Sequence, residues 1–199
     1  MRTGRLALRP VSMGDKTALL AHWTGPLVRR HLFGDRRVSA QQVTEIIEAS
    51  RRDFATEGYG LWVLRPAARR FGESGVTSRA PARVTDRALV GVAGLCGPDV
   101  AGDVEMVYSL EPDRWGQGLA AEAGLAVLRH AFTTARLRRV IAEIDMANAS
   151  SLGVAQQLGM RHRGMGVGGT AIYAIDRTQW IGTRHTLARR QQNPSPEML

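Results

Sequence analysis

The stretch from Val104 to Phe132 constrains the fold of this chain more than any other. Val104, Met106, Tyr108 and Leu110 alternate with Glu105, Val107 and Ser109, which predicts a strand with one buried face. Glu111-Pro112-Asp113-Arg114 stops the alternation, and Trp115-Gly116-Gln117-Gly118-Leu119-Ala120 turns the chain. From Leu119 the pattern becomes helical, with Ala121, Leu125, Leu128 and Phe132 as the expected apolar stripe and small residues elsewhere that would let the helix lie close to a sheet. A strand that reaches a helix through two glycines exposes successive backbone N–H groups, because no Cβ keeps an anion at a distance. The helix N-terminus adds unsatisfied donors and a partial positive charge, each contact contributing about 0.3–1 kcal/mol. The turn is therefore expected to grip the pyrophosphate of a cofactor.

Residue pattern alone leaves the cofactor open. Gly116-x-Gly118-x-x-Ala121 satisfies one version of the dinucleotide fingerprint, and acidic Glu143 and Asp145 follow in the next strand. A dinucleotide fold, however, runs its strand straight into the first glycine near the start of a βαβ repeat. Here Glu111 to Arg114 intervene, and only about sixty residues follow the helix. A P-loop is excluded because the chain contains no Gly-Lys-Ser/Thr. What remains is a single phosphate-binding turn late in a mixed sheet.

The rest of the chain supplies that sheet. Arg5–Arg9, Leu61–Leu64, Ala88–Cys96, Val140–Met146 and Ile172–Ile175 read as further strands. Ser12 with Asp15, and Ser39 with Gln42, have capping-box spacing; Leu19, Leu20 and Trp23 follow the first, while Val43, Ile46, Ile47 and Phe54 follow the second on a helix to about Glu57. Ser150–Leu158 reads as a short helix closed by Gly159. With 199 residues and 44% hydrophobic content, one well-buried core is expected. We assign residues 1–182 to one domain, with an arginine-rich insertion at 67–87, and residues 183–199 to a basic, flexible tail.

Composition narrows the partners. The net charge is +9, yet Lys16 is the sole lysine and no basic helix, aromatic RNA motif or zinc finger accompanies the arginines, so direct nucleic-acid binding is not expected as the main function. No run approaches the roughly 18 to 20 apolar residues of a membrane span, and Met1-Arg2-Thr3-Gly4-Arg5-Leu6 has no secretory apolar core, which places the chain in the cytoplasm with no membrane partner expected. Cys96, the single cysteine, lies among small apolar residues and reads as a core position, and no metal-ligand spacing occurs. Oligomeric state is not legible.

At this point the sequence resembles the GNAT N-acetyltransferases, in particular the branch that includes the ribosomal-protein alanine N-acetyltransferases. The carriers are Thr3-Gly4-Arg5-Leu6-Ala7-Leu8-Arg9-Pro10, Val104 to Pro112 running into Trp115-Gly116-Gln117-Gly118-Leu119-Ala120-Ala121-Glu122-Ala123, then Asn148-Ala149-Ser150-Ser151, Leu158-Gly159-Met160, Tyr173 and Trp180. The resemblance implies an α/β fold: a mixed, mostly antiparallel, splayed sheet flanked by helices. It implies acetyl-coenzyme A as cosubstrate without a metal, its pyrophosphate on Trp115, Gly116, Gln117, Gly118, Leu119 and Ala120, and its pantetheine arm beside Ser109 and Leu110, near Asn148. Three positions depart from the wider pattern. Trp115 replaces the usual Gln or Arg, Val107 replaces a common glycine, and Ala155 replaces a tyrosine that protonates the leaving thiolate.

Acetyl transfer needs a neutral amine aligned with the thioester, a proton acceptor and support for the developing oxyanion. Glu105, on the polar face of its strand, is the candidate base. Ser151 is the candidate to hold a water or the thiolate in place of the missing tyrosine. Asn148 or Ser150 alternatively caps the short helix. The acceptor is expected to be a primary amine: a protein N-terminus first, a polyamine or aminoglycoside-like amine next, a protein lysine third. A non-catalytic acyl-coenzyme A sensor stays open because of Ala155.

Overall fold

Alternating burial along its strands lets one sheet carry helices on both faces. The computed structural model describes residues 1–67, 88–97 and 102–181. Within them β1 (Leu6–Pro10), β2 (Leu61–Pro66), β3 (Gly91–Cys96), β4 (Val104–Leu110), β5 (Arg139–Asp145), β6 (Arg161–Met165) and β7 (Thr170–Asp176) form a seven-stranded sheet in the order β1-β2-β3-β4-β5-β7-β6. All neighbours are antiparallel except β4 and β5, which run parallel. This parallel pair touches only at Val104–Val140 and Glu105–Ile141. Beyond that point the two strands splay apart.

Helix α4 (Leu119–Thr133) and α5 (Ala149–Gln157) cover one face, where Leu8, Leu64, Leu95, Met106, Val127, Leu128 and Phe132 share a core. The other face carries α1 (Lys16–Thr24), α2 (Pro26–Leu32) and α3 (Ala40–Thr56), with Leu19, Trp23, Val43 and Ile47 against Val63 and Val92. Period-two strands serve both cores, since Trp62 and Leu64 point to the first and Leu61 and Val63 to the second. The α3 capping box forms as read, with the Gln42 N–H donating to Ser39 Oγ at 3.1 Å and the Ser39 N–H to Gln42 Oε1 at 2.8 Å. At the first box the Asp15 carboxylate accepts from the Ser12 N–H at 2.9 Å. Leu128, wholly enclosed, contributes the packing whose loss costs about 2–5 kcal/mol when such a residue is cut to alanine.

Several expectations shift. The α4 stripe rotates: Leu119, Ala123, Gly124, Val127, Leu128, Ala131 and Phe132 are buried, while Leu125 is 43% exposed. The small residues set this phase, because a Cβ on Gly124 would stand 2.7 Å from Leu158 Cδ1. The smallest side chains, not the largest, mark the face that meets α5. β6 escapes a hydrophobic reading since its Arg161, His162 and Arg163 are exposed on an edge strand, and α2 is a seven-residue helix opened by Pro26. β3 starts at Gly91 rather than Ala88, with the Val90 N–H still bonded to Leu64 O at 2.9 Å. Of the expected insertion only Ala67 is described, its N–H donating to Arg5 O at 2.8 Å; the remainder of it and the expected tail lie outside the described residues.

Candidate active site

The splay of β4 from β5 leaves backbone groups facing a gap. The Glu111 N–H donates to Val90 O at 2.9 Å, and the β3–β4 register then assigns Glu105, Val107 and Ser109 to the bonds with β3. Met106, Tyr108 and Leu110 turn their N–H and C=O groups toward β5, where pairing stops at Glu105. A cavity of about 660 Å³ occupies this wedge. Its walls are β4 from Glu105 to Leu110, β5 from Ala142 to Asp145, the glycine turn, the start of α5, and Leu27, Val28, His31 and Leu32 of α2. An extended ligand laid in the wedge would meet the open edge of β4 as a neighbouring strand does.

The glycine turn forms one end of the cavity. Gly116 and Gly118 both hold φ at +71°, a left-handed conformation that costs other residues about 1–2 kcal/mol. Gly118 is the N-cap of α4 and offers no capping side chain, so the first N–H groups of the fifteen-residue helix are left for a ligand. Leu119, Ala120 and Ala121 line the cavity there, as does Arg114. Trp115 plays a part its position in the motif does not announce. Its indole N–H donates to Leu110 O at 2.8 Å, locking the turn to the end of β4, and the ring stays 47% exposed. Gln117 fastens the turn internally by donating to Asp113 O at 2.9 Å.

A brace from the opposite end of the chain holds the turn from below. Arg5 donates through Nη1 to Gln117 O at 2.7 Å and through Nε to Glu122 Oε2 at 2.6 Å, while its N–H reaches Glu122 Oε1 at 2.8 Å. Thr3 Oγ1 donates to Glu122 as well, at 2.5 Å. Burial alone would raise the Glu122 pKa, but these hydrogen bonds from Thr3 and Arg5 outweigh it and hold the carboxyl below its usual range. Both partners lie within the motif stretches read from the sequence. Their pairing across 117 residues was not readable there.

Three carboxylates also line the cavity. Glu105 is half-buried on the α2 face of β4, and Glu143 and Asp145 project from β5. Asp145 accepts from the Ala147 N–H at 2.9 Å and lies 3.4 Å from His31 Nδ1, and those contacts lower its pKa. Glu143 accepts from the Thr170 hydroxyl. Asn148 caps α5, its Oδ1 accepting from the Ser151 N–H at 3.1 Å, and both residues line the cavity. Ser150 is exposed and does not take the cap. Tyr108 packs against the α4-side core and donates its hydroxyl to Ser151 O at 3.1 Å. Ala155 is buried in the same core. Cys96 is largely enclosed and burial, with Glu105 nearby, pushes its thiol up to about 12, which removes it as a nucleophile.

One buried group behind β4 gave no signal in the sequence. His22 of α1 has no exposed side-chain surface; its Nε2 lies 2.9 Å from Ser109 Oγ and its Nδ1 3.0 Å from Glu111 Oε1. Its partners stand 87 and 89 residues away. No local pattern could have joined them.

The profile of the acetyltransferase (GNAT) domain matches residues 5–161. The chain belongs to the GNAT acetyltransferase family. It is an acyltransferase, and acetyl-coenzyme A is its cosubstrate. An uncharacterized N-acetyltransferase p20 from Bacillus licheniformis is 26% identical over 167 residues, 82% of this chain and 83% of the relative. In fold the GNAT chain is similar to an acetyltransferase from Agrobacterium tumefaciens at a TM-score of 0.70 and 21% identity, covering 88% of this chain and 92% of that one. It is likewise similar to a spermidine N-acetyltransferase from Vibrio cholerae in complex with coenzyme A and spermine, with TM-score 0.68, 14% identity and coverage of 90% and 99%. Among the described residues no helix is long and apolar enough to cross a membrane, and no cluster of three His, Cys, Asp or Glu is arranged to hold a metal ion.

Proposed function

We propose that this enzyme transfers acetyl from acetyl-coenzyme A by direct attack of a primary amine, a protein N-terminus in first place. One observation carries the reading: a single cavity is lined both by the uncapped N-terminus of α4 and by three carboxylates, Glu105, Glu143 and Asp145. The N–H donors suit a pyrophosphate and the carboxylates a cationic amine. Under this reading Gly116, Gln117, Gly118, Leu119 and Ala120 hold the pyrophosphate with their backbones, beside Trp115. Ser109 and Leu110 flank the pantetheine arm on β4, with Asn148 across the wedge.

An α-amino group with pKa near 8 is about one-tenth neutral at pH 7, whereas a lysine near 10.4 is neutral about once in two thousand molecules. A protein N-terminus thus asks little of its base. Glu105 supports the role of proton acceptor by its place on the wall shared with α2, and Ser151 that of a group steadying water or thiolate. The resemblance to ribosomal-protein acetyltransferases favours the N-terminus. A polyamine is the second reading, favoured by the three carboxylates on one cavity and compatible with the fold shared with a spermidine N-acetyltransferase.

Thiol release from acetyl-coenzyme A over a panel of peptides with free N-termini, N-blocked lysine peptides, polyamines and aminoglycosides tests both. Turnover is expected first on peptides with free N-termini. Turnover confined to polyamines would replace the first reading with the second. Binding of acetyl-coenzyme A without turnover on any amine would defeat both in favour of a sensor.

A further inference from the structure

We propose that Ser109, His22 and Glu111 form a proton relay that takes a proton from the acceptor amine in the cavity and returns it to the coenzyme A thiolate. The inference deepens the amine-acetylation reading and rests on it: Glu105 frees the neutral amine from its ammonium form, and the relay takes the second proton, the one released as the N–C bond forms. Ser109 lines the cavity on the β4 face that α2 covers, the face it shares with Glu105. Behind it stands the wholly buried His22, and behind His22 stands Glu111, whose side chain is 32% exposed. The three groups make one unbroken chain at 2.9 and 3.0 Å, leading from the cavity through the molecule toward solvent.

The proton positions follow from the donors. An ionised Glu111 only accepts, so Nδ1 carries the ring proton and Nε2 accepts from the Ser109 hydroxyl. That is the tautomer in which the imidazole can receive a proton from the cavity side. Burial lowers the His22 pKa below its ordinary value, and Glu111 opposes the shift, so at neutral pH the ring is neutral and ready to accept. Among the described residues, the groups acting on its charge are Glu111, from the loop after β4, and the main chain of Ser109, on β4 itself.

The transfer balances without another reagent. The amine lone pair forms the new N–C bond and the C–S bond breaks with its electrons on sulfur. One nitrogen proton passes to Ser109 Oγ as Ser109 gives its own to His22 Nε2. Glu111 steadies the resulting imidazolium, which returns the proton through Ser109 to the thiolate. The products are the acetylated amine and coenzyme A as thiol. Ser109 is the catalytic residue in this step, since it alone of the three lines the cavity, and His22 and Glu111 are positioning residues that act through it. The relay also supplies an acid for the thiolate in a chain whose α5 carries Ala155 in the core.

The test compares Ser109→Ala and Ser109→Thr with the wild type on whichever amine turns over. General acid–base participation contributes about 10²–10⁴-fold. Ser109→Ala is expected to lose about 100-fold in kcat/KM while its coenzyme A Kd stays within about threefold, and Ser109→Thr, which keeps the hydroxyl, recovers most of the rate. The wild-type profile of kcat/KM against pH should show an acidic limb, from His22, displaced below the ordinary imidazole range, that disappears in Ser109→Ala. Imidazole ¹⁵N shifts read the relay without turnover: His22 should be neutral and protonated on Nδ1 at pH 7. A rate for Ser109→Ala within threefold of wild type, a lowered rate with an unchanged acidic limb, or His22 protonated on Nε2 would overturn the relay alone. A wild type inert on every amine would defeat the acetylation reading, and the relay with it.

Discussion

Replacing Glu122 by Gln separates the brace under the glycine turn from the turn itself. The carboxylate accepts from Thr3 Oγ1 at 2.5 Å, the Arg5 N–H at 2.8 Å and Arg5 Nε at 2.6 Å. A glutamine keeps one acceptor but presents an NH₂ group to a second donor, so the Arg5 Nε contact is lost. Because the Arg5 side chain is 54% exposed, solvent screening limits that ion pair to about 0.2–1 kcal/mol. The negative charge in the first turn of α4 contributes about 0.3–1 kcal/mol more through the helix dipole. Together these give a loss of about 0.5–2 kcal/mol. At the size of this 199-residue chain that lowers Tm by about 1–8 °C, measured by differential scanning fluorimetry.

Binding carries the more discriminating number. Arg5 Nη1 holds Gln117 O at 2.7 Å between the two glycines, so an Arg5 freed from Glu122 leaves the turn to be ordered by the ligand. Up to about 1.4 kcal/mol of that ordering corresponds to as much as a tenfold rise in Kd, so titration calorimetry should show coenzyme A binding weakened about three- to tenfold. Combined with Arg5→Ala, the two changes should be strongly non-additive, because they remove one shared contact. A Tm that falls while the coenzyme A Kd stays within twofold would refute the idea that the brace positions the turn.

Other expectations are as direct. Glu105→Gln should lower kcat while coenzyme A affinity stays unchanged, and an unaltered kcat would remove Glu105 as base. Asp15 and Glu122 are both held below their ordinary carboxylate values by hydrogen bonds that outweigh burial, from Arg9 and Ser12 in one case and Thr3 and Arg5 in the other. Their stabilisation is therefore complete above the ordinary carboxylate range near pH 4 and is lost as pH falls through the lowered values. Urea midpoints should drop between pH 5 and pH 3, and Asp15→Asn should flatten part of that decline; an identical slope in the variant would count against it.

Legibility in the sequence tracked the range of the interaction. The β4 strand, the turn and the start of α4 were readable because alternation, glycine conformation and helical periodicity are local properties. So was the α3 cap, where Ser39 and Gln42 stand three residues apart. Leu125 misled because hydrophobicity alone ignores that Gly124 and Ala123 allow the closest approach. α2 was missed as a single short segment, although Gly25-Pro26 marks its start and its His31 and Leu27 close the cavity. His22 and the Arg5–Glu122 brace depend on partners 87 or more residues distant, and only the folded sheet brings them together.

Gly118→Ala tests most directly whether the glycine turn grips a pyrophosphate. An added Cβ would lie 3.7 Å from Arg5 Nη2, an ordinary contact, so the cost falls on the left-handed backbone rather than on packing. Calorimetry with coenzyme A and with pantetheine, which lacks the pyrophosphate, should show wild type favouring coenzyme A strongly and Gly118→Ala losing about tenfold of that preference, with pantetheine affinity unchanged. Equal weakening of both ligands, or an unaltered preference for coenzyme A, would contradict the claim.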